Sequence, residues 1–113
     1  MPKTLPCNSK EIIIVDPLFD KGVDRKAVYL CDGSKIHWQK TGNVKEFEVV
    51  FDTPGPFGGG STIFGSLPGE QDTTPTYNSS NPPLPLTVYY YTITILDTNG
   101  FQHAFDPHII GGG

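Results

Sequence analysis

The last quarter of the chain carries its densest run of β-branched and aromatic residues. Residues 87–96 read Thr-Val-Tyr-Tyr-Tyr-Thr-Ile-Thr-Ile-Leu, and residues 101–110 resume this character after a polar turn. Such residues fit the pleated surface of a sheet, and the Asn99-Gly100 step between them tolerates the positive φ of a tight hairpin. The pattern therefore predicts an all-β domain that closes with a long hairpin.

The register of this hairpin depends on the length of its turn. A two-residue turn at 99–100 would pair Thr94 with Phe105 and would place Phe105 on the more polar face of the strand. A bulge at Gly100 would instead swap the faces. The sequence leaves both arrangements open: either the polar face is partly covered, or the turn contains a bulge.

Strand character also recurs through the first half of the chain. Residues 11–15 are almost wholly apolar, which is typical of a strand that is covered on both faces or that pairs inside a sandwich. Residues 27–31 and 34–39 flank an Asp32-Gly33 step and together predict a hairpin. A further strand is predicted over residues 46–51, where apolar and acidic residues alternate.

This alternation also identifies a candidate core. The apolar positions that fall on one face are Ile36 and Trp38 in one strand, and Phe47, Val49 and Phe51 in the next. We therefore predict that Trp38 is a core anchor and not a ligand contact.

The domain organisation follows from the proline distribution. Most of the 11 prolines lie in residues 53–86, which predicts a long loop with one short strand near residues 61–64. Within it, residues 66–85 are predicted to bury too little surface to be ordered in an isolated monomer. The chain is thus interpreted as an arm over residues 1–10, one sandwich domain over 11–110 and a flexible tail over 111–113.

Composition narrows the classes of partner and compartment. The net charge is −4, and all eight Lys and Arg lie in the first half of the chain, so nucleic acid is not a predicted partner. No stretch approaches the roughly 20 apolar residues that a membrane span needs, which predicts a soluble chain. The compartment stays open, because a secreted or periplasmic domain whose leader was replaced by Met1 fits equally. Cys7 and Cys31 are either a disulfide or two unrelated thiols.

The order of the elements resembles a cupredoxin-like Greek-key β-sandwich. Residues 33–38 are similar to the family's polar turn and Val-x-Trp strand, residues 46–52 to its next strand, and residues 53–57 to its Pro/Phe loop. The Tyr-x-Tyr strand is matched by residues 89–91. The closing Asp106-Pro-His-Ile-Ile110 is similar to the Asp-Pro-x-Ile-Ile ending of copper-free members. The resemblance, which covers about 100 residues, implies a copper-free cupredoxin-like sandwich.

The copper site of that family does not carry over. Type 1 copper needs a thiolate and two imidazoles, usually with a weak axial thioether. The position of the first histidine falls in residues 44–46, which contain none, and the later loop offers His103 and His108 without cysteine or methionine. The only methionine is Met1. We therefore predict no cofactor and no blue-copper electron transfer.

Two other groups of residues are candidates for a chemical site. His37, His103 and His108 could form a three-imidazole metal site, although ordinary sheet positions explain them more simply. Glu46 and Glu48 share one strand face, but acid–base chemistry would need a cleft that shifts the pKa of one carboxyl. A solvated face explains this pair better. We therefore predict no catalytic, cofactor-binding or metal-binding residue.

The remaining signals favour recognition over catalysis. We predict a non-enzymatic binding or assembly module that uses its edge strands and the 53–86 loop to contact a protein partner or a second copy of itself. The alternative is a glycan or small-molecule binding domain that uses exposed aromatic residues, since rings stack on sugars. The candidates for such a platform are Tyr29, Trp38, Tyr89, Tyr90 and Tyr91.

Overall fold

The computed structural model describes residues 9–25, 27–52, 55–57, 63–78 and 86–111, and their regular structure consists of strands without any helix. The strands are β1 (Lys10–Val15), β2 (Ala27–Leu30), β3 (Lys35–Lys40), β4 (Val44–Phe51), β5 (Ile63–Gly65), β6 (Thr87–Asp97), β7 (Gln102–Phe105) and β8 (His108–Gly111).

These strands form two sheets, which confirms the predicted all-β sandwich. The larger sheet has the order β2-β8-β6-β4-β5, with β7 also paired to β6, and the smaller sheet is the parallel pair β1-β3. Aromatic rings fill the space between the sheets. Trp38 of β3 lies with its ring centroid 6.2 Å from that of Phe51 on β4 and 5.9 Å from that of Tyr91 on β6.

The closing hairpin contains the bulge that was one of the two predicted arrangements. Asp97 donates its N–H to the carbonyl of Phe101 at 2.9 Å, so three residues form the loop, and Gly100 has a φ of 88°. Phe105 consequently pairs with Ile93 and not with Thr94. The bulge moves the phenylalanine to the side of the sheet that faces the core.

The predicted hairpin around Asp32-Gly33 is wrong. Strand β2 pairs with β8 in the larger sheet, whereas β3 pairs with β1 in the smaller one, and the chain crosses between the sheets at this turn. The turn itself forms, with the Ser34 N–H 2.9 Å from the Cys31 carbonyl and Gly33 at a φ of 91°. Alternation specifies which face of a strand is buried, but it does not specify the neighbouring strand.

Of the two settings predicted for the first strand, pairing inside a sandwich is the one observed, since β1 pairs with β3 and is not covered on both faces. Strand β1 alternates, with Ile13 fully buried and Ile12 44% exposed. The smaller sheet has only one face against the core, so apolar residues on the other face remain accessible. Glu11 is 1% exposed and forms a buried ion pair with Arg25.

The core contains every position that alternation predicted, together with rings from the Gly/Pro-rich segment. Trp38 and Ile36 have no exposed surface. Trp38 stacks on Phe64 of β5, and Phe57 contacts Tyr77 edge to face with centroids 6.4 Å apart. The prediction of Trp38 as a core anchor is therefore confirmed.

Residues 72–77 contradict the prediction that this part of the long loop buries too little surface to be ordered. Tyr77 is 1% exposed, and the segment runs along the edge of β3. The Thr74 N–H lies 2.9 Å from the Ile36 carbonyl, and the Tyr77 N–H lies 2.6 Å from the Ser34 carbonyl. A segment that forms hydrogen bonds along a neighbouring strand can be ordered without an alternating pattern of apolar and polar residues. Residues 79–85 lie outside the described residues.

The domain boundaries move by one residue at each end. Strand β1 begins at Lys10, which was predicted to belong to the arm. Strand β8 ends at Gly111, which was predicted to belong to the tail. Gly111 packs against Tyr77 so closely that a Cβ on Gly111 would lie 2.9 Å from the Tyr77 ring. Cys31 is disulfide-bonded, and Cys7, the other cysteine of the chain, lies outside the described residues.

Candidate binding face on the larger sheet

Side chains alternate between the two faces of the larger sheet, and one of these faces points away from the core. We call it the outer face. Cross-strand pairing assigns to it Glu46, Glu48 and Val50 of β4, Ile63 of β5, Val88, Tyr90, Thr92, Thr94 and Leu96 of β6, Gln102 and Ala104 of β7, His108 and Ile110 of β8, and Ala27 and Tyr29 of β2.

One half of the outer face is apolar and accessible. Tyr90 is 53% exposed, Val88 46%, Ile63 43% and Val50 37%. Val50 pairs directly with Ile63 on β5 and with Thr92 on β6, so the exposed groups continue from one strand to the next. Single exposed apolar residues are common on protein surfaces, whereas a continuous group across several strands is typical of an interaction site.

Tyr90 lies at the centre of this half. Its ring centroid is 5.6 Å from that of His108 on β8, at an interplanar angle of 54°. On its other side, the backbone N–H of Asp52 donates to the Tyr90 carbonyl at 3.0 Å. Pairing thus continues one residue beyond β4 and places exposed Asp52 beside the tyrosine. The arrangement offers an accessible aromatic surface with a carboxylate next to it.

The charged side chains at the positions assigned above are all acidic, and a cation, Lys35, borders the face, where it lines a groove together with Ile63. Asp52 lies beside Tyr90, Asp106 follows β7 and accepts a hydrogen bond from Thr92 Oγ1 at 3.3 Å, and Glu46 and Glu48 occupy β4. None of the positions assigned above is Lys or Arg. Along β4, the nearest cation is Lys45, which lies at the bulge between Val44 and Glu46. The outer face therefore combines exposed apolar groups with carboxylates.

A second carboxyl group meets Glu48 from outside the sheet. Glu70 lies in the turn after β5, where burial first and then contact with Glu48 raise the pKa of Glu70 to about 7. It borders an open groove of about 690 Å³ that Lys35, Ile63 and Phe64 also line. At neutral pH the two carboxyls can therefore share a proton.

This pair is the feature that sequence reasoning missed. Alternation identified Glu46 and Glu48 as neighbours on one strand, whereas the carboxyl with the shifted pKa comes from a loop 22 positions further along the chain. The turn over residues 66–71 explains the contact. A Cβ on Gly65 would lie 2.5 Å from the Phe47 backbone carbonyl oxygen and 2.5 Å from Glu70 Oε1, so a larger residue would disturb both the strand pairing and the position of this carboxyl. The Gly-Glu spacing alone does not signal such a contact.

The three histidines are not brought together. His37 on the smaller sheet has Nδ1 2.9 Å from Thr73 Oγ1, while His108 lies on the outer face of the larger sheet. His103 pairs with Ile95, whose side chain faces the core, and its Nε2 is 2.9 Å from Asp97 Oδ2. That hydrogen bond is the main cause that lowers the pKa of Asp97. Across the described ranges, no group of three His, Cys, Asp or Glu could hold a metal ion.

Comparison with known proteins adds no family assignment. No protein-family model, no curated protein and no solved structure matches the chain. The resemblance to cupredoxins therefore stays a prediction. In the part of the chain that the structure describes, no helix is long and apolar enough to cross a membrane.

Proposed function

We propose that this chain is a non-enzymatic binding module, built on a copper-free cupredoxin-like sandwich, that engages a protein partner through the outer face of its larger sheet. The long 53–86 segment contributes to this surface, because β5 with Ile63 belongs to the segment and two of its rings, Phe57 and Tyr77, are buried in the core. A rigid platform of this kind holds its exposed groups in place before binding, which lowers the entropic cost of recognition.

The continuous exposure of Val50, Ile63, Val88 and Tyr90 carries the proposal. Folded domains rarely expose a continuous group of apolar side chains to solvent at positions where polar side chains would fit equally well. Polar residues do occupy the other half of the same face, at Thr94 and Gln102. The contrast within one face supports a role for the apolar half beyond folding.

The outermost strands of the larger sheet offer less than its outer face. Strand β5 has three residues and β2 has four, so each could donate or accept only a few backbone hydrogen bonds to an added strand. Short edges are also a common way to prevent strand addition. Recognition by the side chains of the outer face is therefore the form of the hypothesis that we carry forward.

Site-specific photocrosslinking tests the proposal. Benzoylphenylalanine at Tyr90 should crosslink a partner in native extract, whereas the same group at Phe101, which is 67% exposed at the tip of the β6–β7 hairpin, should not. Light scattering over a range of concentrations reports self-association in parallel. Crosslinks that form equally at both positions, or at neither, would argue against the outer face as the binding surface.

A glycan is the second candidate ligand, because one specific observation favours it. Tyr90 presents an accessible ring with the Asp52 carboxylate beside it, and stacking together with hydrogen-bond acceptors is the usual means of binding a sugar. A glycan array separates the two candidates. Specific signals that disappear in Tyr90→Ala and persist in Phe101→Ala would favour the glycan.

A further inference from the structure

We infer that the partner of the outer face is a cationic amphipathic segment, in which a stripe of apolar side chains is flanked by Lys or Arg. This inference rests on the proposed function, since it specifies the chemistry of the partner for the same face. It follows from three features of that face: its size, the sign of its charges and its inability to pair with itself.

The size of the face suits one secondary-structure element. Strand order places β5, β4, β6, β8 and β2 side by side, and a strand spacing of about 4.8 Å gives a width of about 19 Å. A helix of about 13 residues covers that distance at 1.5 Å per residue. Ile63 and Val50 are in register with Thr92 of β6, and Tyr90 lies two residues from Thr92 on the same face, so the apolar stripe of such a helix would cross the strands obliquely from Ile63 to Tyr90.

The charges of the face specify the sign of the partner. Asp52 and Asp106 border Tyr90, and Glu46 and Glu48 continue the series along β4. Long cationic side chains can lay their methylene groups on the apolar half while the charged ends reach these carboxylates. A Lys or Arg over the exposed ring of Tyr90 would add a cation–π contact. An anionic segment would be repelled by these carboxylates and would find a cation at the Ile63 end, where Lys35 lies.

The same charges disfavour a second copy of this chain as the occupant. A two-fold dimer would bring the outer face against itself and would bring its four carboxylates opposite those of the other copy. Like charges brought together at an interface disfavour association. At neutral pH the face should therefore select a cationic partner over itself.

A defined peptide series tests the chemistry directly. The probe is a 14-residue amphipathic helix of Leu and Lys, which matches the width of the face at about 1.5 Å per residue. One control replaces every Lys with Glu, and the other replaces every Leu with Ser. Isothermal titration calorimetry with the intact protein should show binding of the Leu/Lys peptide only. The affinity should fall as salt rises, because surface charges are screened beyond about 8 Å at 0.15 M.

Matched variants locate the binding site. Tyr90→Ala should weaken binding about tenfold, as expected for an aromatic hot spot, whereas Phe101→Ala should leave it unchanged. The double change Asp52→Asn and Asp106→Asn should weaken binding several-fold and reduce its salt dependence. Asp72→Asn, on the side of the smaller sheet, is the charge control. Circular dichroism melts establish that each variant is folded.

The outcomes separate this inference from the function on which it rests. Binding of the Leu/Lys peptide that responds to Tyr90 and the two aspartates supports the inference. Binding that ignores these changes, or equal binding of the Leu/Glu peptide, overturns it. If no peptide binds, the inference of a cationic partner is wrong. The proposal that the outer face is the binding surface then still holds if Tyr90 crosslinks a partner or if Tyr90→Ala abolishes a glycan signal. If the Tyr90 crosslink also fails, the proposed function fails with it.

Discussion

Trp38 stacks on Phe64 with ring centroids 5.6 Å apart and an interplanar angle of 27°. The first residue belongs to the smaller sheet and the second to the edge strand of the larger sheet, so this contact joins the two layers at the end where the long 53–86 segment enters the fold. Phe51 and Tyr91 complete the cluster around the indole. Trp38 is therefore one of the core side chains through which the two-stranded sheet packs on the larger sheet.

Trp38→Ala should lower the free energy of unfolding by about 3–5 kcal/mol, because it removes a fully buried ring and leaves a cavity among other rings. Urea denaturation measures the loss. Trp38→Phe is the matched control and should cost less, since it keeps an aromatic ring against Phe64 and Phe51. If Trp38→Ala unfolds like the parent while it loses a ligand, the residue is not a core anchor.

Sequence alone predicted the elements of this fold better than their partners. Alternation placed Trp38, Phe47 and Val49 in the core, because burial of one strand face leaves a period of two in the sequence. It did not reveal that β2 and β3 belong to different sheets. Strand pairing depends on contacts between distant segments, and the Asp32-Gly33 turn is compatible with both a hairpin and a crossing between sheets.

The candidate site, like the fold, could be predicted only in part from the sequence. Tyr90 was identified in advance as one of several aromatic candidates, because adjacent tyrosines cannot all face inward. The Glu48–Glu70 pair was not predicted, since its members meet only after the turn over residues 66–71 has formed. The bulge at Gly100 is intermediate: the sequence suggested it as one of two registers, and only the pairing of Phe105 with Ile93 decides between them.

Arg25→Met should destabilise the protein by about 2–4 kcal/mol. The carboxylate of Glu11 is 1% exposed and would lose its guanidinium, although the 36% exposure of the arginine moderates the loss. Lys21→Met, at an exposed position in the same connection, should change stability little. The double variant Arg25→Met with Glu11→Met should recover much of the loss. Equal effects of the Arg25 and Lys21 changes would show that the buried ion pair contributes nothing.

The Glu48–Glu70 pair predicts a dependence of stability on pH. The pKa of Glu70 is about 7 in the folded protein against an ordinary value of 4.5, so the folded state binds more protons than the unfolded state between these limits. The free energy of unfolding should therefore fall as pH rises from about 4.5 to 7 and then level off. Glu70→Gln should remove this slope and stabilise the protein above pH 7 by about 1 kcal/mol after solvent screening.

Thermal melts at pH 5 and pH 8 measure this effect. Glu46→Gln is the control, because Glu46 shares the strand with Glu48 but is not among the groups that shift the pKa of Glu70. A similar slope in the parent and in Glu70→Gln would show that the pair does not control the pH dependence. A slope removed equally by Glu46→Gln would assign the effect to the general charge of the outer face.

Hydrogen exchange distinguishes an ordered segment over residues 72–77 from the mobile one that its composition suggests. The amides of Thr74 and Tyr77 should be protected, because they donate to the Ile36 and Ser34 carbonyls at 2.9 and 2.6 Å. The amide of exposed Thr76 between them should exchange fast. Tyr77→Ala should release the protection of Thr74 while that of Ile93 in β6 persists, since the Tyr77 ring fixes the segment to the core. Random-coil exchange at Thr74 and Tyr77 in a verified monomer would show that composition, and not the edge of β3, determines how this segment behaves.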